Sequence, residues 1–151
     1  MKTKKFTLLF IFIFLTNCGY QPIYLQKNNL KIFINQIVLE GDKKINRKII
    51  EFTGIKKKKN GNPSYNLKLI SNKDIKIVAK DKSGNASIYK TTVTVIFTLE
   101  DQNEIFKQKT FSSNFSYNDI INSFELSQYQ KIIENNLINK IAEEIIIFIN
   151  A

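Results

Sequence analysis

The chain contains no histidine, no tryptophan, one cysteine (Cys18) and one arginine (Arg47). Without histidine a His-activated nucleophile cannot be assembled, and a metal site of the His/Cys kind is excluded as well. A single thiol also rules out any disulfide within the chain. The scarcity of arginine bears on partners. Proteins that read nucleic-acid sequence rely on the bidentate guanidinium, so the net charge of +10, almost all lysine, does not point to nucleic acid. The abundance of lysine, asparagine and isoleucine is what an AT-rich genome would produce on its own. Carboxylate chemistry is the remaining route to catalysis. Yet Glu40, Asp42, Asp74, Asp81, Glu100, Asp101 and Glu104 fall at or near turns, and the other acids sit mainly on predicted helices, where charges are normally solvated. The chain reads as non-enzymatic, with no cofactor and no metal.

Long apolar runs are also few, and the one at the start is short. Phe6 to Leu15 is apolar except for Thr7 and follows Lys2, Lys4 and Lys5. About ten apolar residues cannot cross a hydrocarbon core, which needs about twenty. A basic head and a short apolar middle instead make a secretory signal peptide. The segment that follows, Leu15-Thr16-Asn17-Cys18, resembles a bacterial lipobox, with Asn17 standing where glycine, alanine or serine is usual. In that pattern the cysteine is diacylated on sulfur and becomes the first residue of the mature chain. A lone exported thiol would otherwise be open to oxidation and cross-linking. Each buried methylene contributes about 0.8 kcal/mol, so two or three acyl chains make a stable anchor where one is marginal. The resulting division is 1–17 signal peptide, 18–29 lipidated tether with Pro22, and 30–151 a single domain. Loss of Lys2, Lys4 and Lys5 with the leader lowers the charge from +10 to +7. A basic surface of that kind suits anionic lipid or phosphorylated glycolipid.

Within the domain, Leu30 to Leu39 is rich in β-branched residues and bounded by Gly41, which predicts a strand. Asp42 can cap a helix carrying Ile45, Ile49 and Phe52 at i, i+4 and i+7, with Gly54 as its stop. The run Lys56-Lys57-Lys58-Lys59 before Asn60, Gly61 and Pro63 reads as a charged loop. Tyr65, Leu67 and Leu69 alternate, as do Ile75, Ile77 and Ala79, with an interruption or bulge expected at Ser71 to Asp74. After a turn at Asp81 to Asn85 comes a long alternating strand. Tyr89, Thr91, Val93, Val95, Phe97 and Leu99 lie on one side, and Ile88, Lys90, Thr92, Thr94, Ile96 and Thr98 on the other. A turn at Glu100 to Asn103 leads to a strand over Ile105 to Tyr117 with Phe111 and Phe115 on the same side. From about Glu125 a final helix carries the stripe Tyr129, Ile133, Leu137, Ile141, Ile145 and Phe148, widened by Ile138, Ala142 and Ile149. Lys131, Glu134, Lys140, Glu143 and Glu144 are expected to cover its solvated side. The order strand, helix, three strands, helix gives an α+β two-layer sandwich. Its four-stranded, largely antiparallel sheet carries both helices on one face.

The stretch CGYQPIY after the leader, a strand and short helix, YNLKL, a glycine turn into SIYKTTVTVIFTL and a last amphipathic helix together resemble the lipopolysaccharide-assembly lipoprotein (LptE) family. The resemblance spans nearly the whole chain as an order of elements. It implies a lipoprotein anchored to the outer membrane on its periplasmic side. Such a protein plugs a large outer-membrane β-barrel translocon, helps it assemble and binds lipopolysaccharide in transit. Matching the family pattern at Gly84 and Tyr89 puts Lys82, with Lys80 beside it, at the basic turn tied to glycolipid binding. The family's second basic position, before the last helix, is occupied here by Phe124-Glu125-Leu126. The rival expectation is a lipoprotein accessory of another envelope assembly machine, binding protein and no glycolipid.

Overall fold

The computed structural model describes residues 32–57, 64–102 and 104–151. Cys18, the leader, the tether and Lys58–Lys59 lie outside the described residues. The elements are β1 (Phe33–Gly41), α1 (Lys43–Thr53), β2 (Ser64–Lys80), β3 (Ala86–Asp101), β4 (Glu104–Asn118) and α2 (Ser123–Asn150). They form one sheet in the order β1-β2-β3-β4. β1 runs parallel to β2 through the α1 crossover, and the other two pairings are antiparallel. The result is a mixed α+β sheet with the helices packed on one face, the class expected from the element order.

Local chemistry sets the boundaries. The Asp42 carboxylate accepts from the backbone N–H groups of Lys44 (2.9 Å) and Ile45 (3.1 Å), capping α1. At the other end Gly54 takes φ +70° and returns its N–H to the Ile50 carbonyl. β1 begins at Phe33 and runs to Gly41, shifted from the predicted Leu30–Leu39. Its end is sharp because Gly41 sits at φ +78°, where a Cβ would lie 2.0 Å from the Ser71 carbonyl oxygen. The Asp42 N–H then donates to that oxygen at 2.9 Å, and Ser71 Oγ donates back to the Asp42 carbonyl. Only glycine lets the chain leave the sheet here.

The interruption expected at Ser71–Asp74 does not occur. β2 is continuous for 17 residues, and its register shifts lie later, around Ile77, Ala79 and Lys80. Ser71 and Lys73 looked like breakers because they are polar on the inward side. Both find partners there, Ser71 at the start of α1 and Lys73 on α2, so the ladder need not break.

The core lies between the lower sheet and the helices. Leu67, Leu69, Val93, Val95, Phe97 and Leu99 are shut off from solvent together with Ile45, Ile49, Ile141 and Ile145. Phe148 sets its ring edge-on to Phe97 and Phe111, with centroids 6.1 and 5.8 Å apart. Phe111 and Phe115 share a side of β4 through their pairing with Val95 and Thr91. Phe111 is buried, while Phe115 is half-exposed on this edge strand. The final helix begins two residues earlier than expected, at Ser123, because the Asn122 side chain accepts from the N–H groups of Phe124 and Glu125.

Candidate functional site

Lys80 and Lys82 stand at the tip of the β2–β3 hairpin, and both are exposed. The turn between the strands is held by Asp81. Its carboxylate accepts from the backbone N–H groups of Ser83 (2.8 Å) and Asn85 (2.9 Å), while its own N–H donates to the Asn85 carbonyl. Those backbone donors, Asn85 first, hold the Asp81 carboxyl below its usual range. The acid between the two lysines is therefore engaged in shaping the loop, and the lysine heads face water. Lys76 and Lys90 pair across the adjoining ladder, which extends the basic character down the stem. Lys76 is itself 3.0 Å from the Asp74 carboxylate.

A second charged arrangement was not legible in the sequence. Glu134, expected on the solvated side of the last helix, is buried at 4% exposure. Lys73 Nζ on β2 donates to its Oε2 at 2.6 Å, and Lys44 Nζ on α1 lies 2.9 Å from Oε1. The Lys44 contact is close but poorly directed, so Oε1 is held by charge more than by an aligned hydrogen bond. Lys48 adds a distant 4.0 Å contact and donates to the Asn135 amide oxygen. Burial by itself would push the Glu134 carboxyl up, but the Lys73 hydrogen bond and the charges of Lys73 and Lys44 outweigh it and hold the group low. An acid kept ionised in this way is a poor proton donor near neutral pH; it ties α1, β2 and α2 together. The signal that could have found it is its place four residues before Ile138, on the wide side of the apolar stripe.

Beside Glu134 opens a cleft of about 220 Å³, lined by Lys44, Lys73, Lys131, Ile75, Thr91 and neighbouring polar residues of α2. Among the described residues the opposite face of the sheet carries no helix. Thr92, Thr94, Thr110, Ser112, Asn114 and Ser116 lie there by register, with Thr94 and Ser112 hydroxyls 3.3 Å apart. The β3–β4 part of that face is rich in hydroxyl groups, and Lys68, Asp74, Lys76 and Lys90 flank it on the same side of the sheet. Of the lysine-rich loop, Lys56 and Lys57 are described and exposed, and Lys57 makes an isolated parallel bridge to Ile34.

No protein-family model matches the chain, and neither does any curated protein. Solved structures do. The fold is similar to that of rare lipoprotein B from Shewanella oneidensis, with a TM-score of 0.57 and 18% identity over 74% of this chain and 90% of that one. It is similar to a minor lipoprotein from Acinetobacter baumannii, with a TM-score of 0.58 and 16% identity over 78% and 92% of the two chains. A lipoprotein B from Nitrosomonas europaea matches with a TM-score of 0.52 and 10% identity over 76% and 81%. At these identities the likeness concerns the fold.

Proposed function

We propose that this chain is a lipoprotein of the outer membrane, anchored through acylated Cys18, that plugs the lipopolysaccharide translocon barrel and holds lipopolysaccharide through the Lys80/Lys82 hairpin tip. The observation that carries the reading is the fold shared with rare lipoprotein B and the Acinetobacter minor lipoprotein along most of each chain. The lone cysteine directly after an export leader supports it, since that is where a lipoprotein needs its thiol. The hydroxyl-rich face of the sheet fits the polar interior of a large outer-membrane barrel. Exposed ammonium groups at the tip suit lipid phosphates, which take lysine as a point charge.

Two measurements test the reading. Fatty-acid labelling should mark the parent and vanish in Cys18→Ala; incorporation that persists contradicts the anchor. Lipopolysaccharide titrations should weaken when Lys80 and Lys82 are both changed to Glu, and the loss should be greatest at low salt, where screening is least. Unchanged binding removes the hairpin tip from the site.

A further inference from the structure

β1 covers only part of β2. Its last pair is Gly41 with Ser71, and β2 continues to Lys80. The Ser71 carbonyl accepts from Asp42, so the backbone groups of Ser71 point to the β1 side. Along a β-strand the backbone groups of every second residue point to the same side. Lys73, Ile75 and Ile77 therefore aim N–H and C=O to the same side, past the point where β1 has turned away. Among the described residues no backbone group answers them. Their surroundings are open as well, with Ile75 at 39% and Ile77 at 50% exposure. A strand in line with β1, just beyond Gly41, would complete the edge.

The helix-side floor of that position is the cleft beside Glu134. Lys44, Lys73 and Lys131 outnumber its single acid, and Lys131 has no acidic partner among the described residues. A strand lying on β2 points alternate side chains to this face. Carboxylates at those positions would meet the cleft's excess positive charge, carried by Lys131 and by lysines that share one acid. A second copy of this chain, itself of net charge +10, is a poor occupant of a basic cleft, because like charges would face each other.

We infer that the free edge of β2 at Lys73, Ile75 and Ile77 is a strand-addition site for an extended segment of a partner protein that alternates apolar with acidic side chains. The backbone groups supply affinity and the lysine cleft supplies selection. This interface is separate from the hairpin-tip lysines and does not depend on glycolipid binding there.

The probe is a capped six-residue peptide alternating valine with glutamate, and its control alternates valine with lysine. Both are titrated by fluorescence anisotropy against the full-length protein in detergent, and amide exchange is followed residue by residue. The glutamate peptide should bind at least about tenfold tighter than the control, and it should slow exchange at the Lys73, Ile75 and Ile77 amides. Ile75→Pro removes an N–H that no strand among the described residues uses, so the sheet should hold while binding is lost. Lys131→Glu, an exposed helix change, should narrow or reverse the preference between the peptides and stands as a test should the proline disturb folding. Absence of saturable binding up to millimolar peptide would overturn the inference. So would equal binding of the two peptides, or protection located elsewhere than these amides.

Discussion

β2 carries two alternating apolar pairs, Leu67/Leu69 and Ile75/Ile77, that look alike in the sequence and meet opposite fates. The first pair is fully buried, and the second is 39% and 50% exposed. Both face the helix side of the same continuous strand. The difference lies in what arrives above them. Over the lower half, β1 extends the sheet and α1 and α2 cover it. Over the upper half, β1 has ended at Gly41, α1 starts by running back the other way, and among the described residues only the beginning of α2 is near. Alternation thus specifies which face a residue takes, while burial depends on whether a second element reaches that face. Glu134 sits at the boundary, where its two close lysines join the covered half to the uncovered one.

The contrast can be broken by substitution. The largest effect is expected from Phe97→Ala, which should cost about 3–5 kcal/mol in urea melts, because its buried ring meets Phe148 and cannot be replaced by water. Ile141→Ala, on the facing helix, should cost about 2–4 kcal/mol. Next comes Gly41→Ala, at about 2–4 kcal/mol, since it adds both a positive-φ penalty and a Cβ against the Ser71 carbonyl. A cost below about 0.5 kcal/mol in any of these would mean that the lower half is not packed as described.

Glu134→Gln probes the boundary. Its partners are partly exposed, so the expected loss near neutral pH is about 1–3 kcal/mol, less than for a fully buried pair. The sign of its pH dependence follows from a folded pKa held below the unfolded one. The stabilisation is present above the unfolded carboxyl pKa and is lost as pH falls through the folded value. The parent should therefore lose stability on acidification more steeply than the Gln variant. Parallel stability–pH curves would remove Glu134 as the tie. The smallest effect belongs to the upper half, where Ile77→Ala should shift stability by no more than about 0.5 kcal/mol.

Much of this was legible from residues alone. The caps at Asp42 and Gly54, the inward set from Thr91 to Leu99 and the turn at Asp81 each carry a local signature, and each is found where its chemistry puts it. What the sequence obscured was long-range. The polar run Ser71–Asp74 read as a break because its partners, Asp42 and Glu134, lie 29 and 61 residues away along the chain. Glu134 read as solvated for the same reason, since a glutamate becomes a core residue only when lysines from two other elements converge on it. At the hairpin tip the fold leaves Lys80, at the end of β2, and Lys82, in the turn, exposed.

The proposed plug is tested most directly by its association with a barrel when the lipid anchor is gone. A domain enclosed by a barrel buries far more than the standard interface of about 1,600 Å², so release should be slow without help from the membrane. The measurement is purification of Cys18→Ala from envelope extracts, with the stoichiometry of whatever remains bound. The expected result is one large outer-membrane β-barrel protein in equal amount, retained equally by the Lys80→Glu, Lys82→Glu double variant. Recovery without any barrel, or with an assembly that handles no lipopolysaccharide, would contradict it.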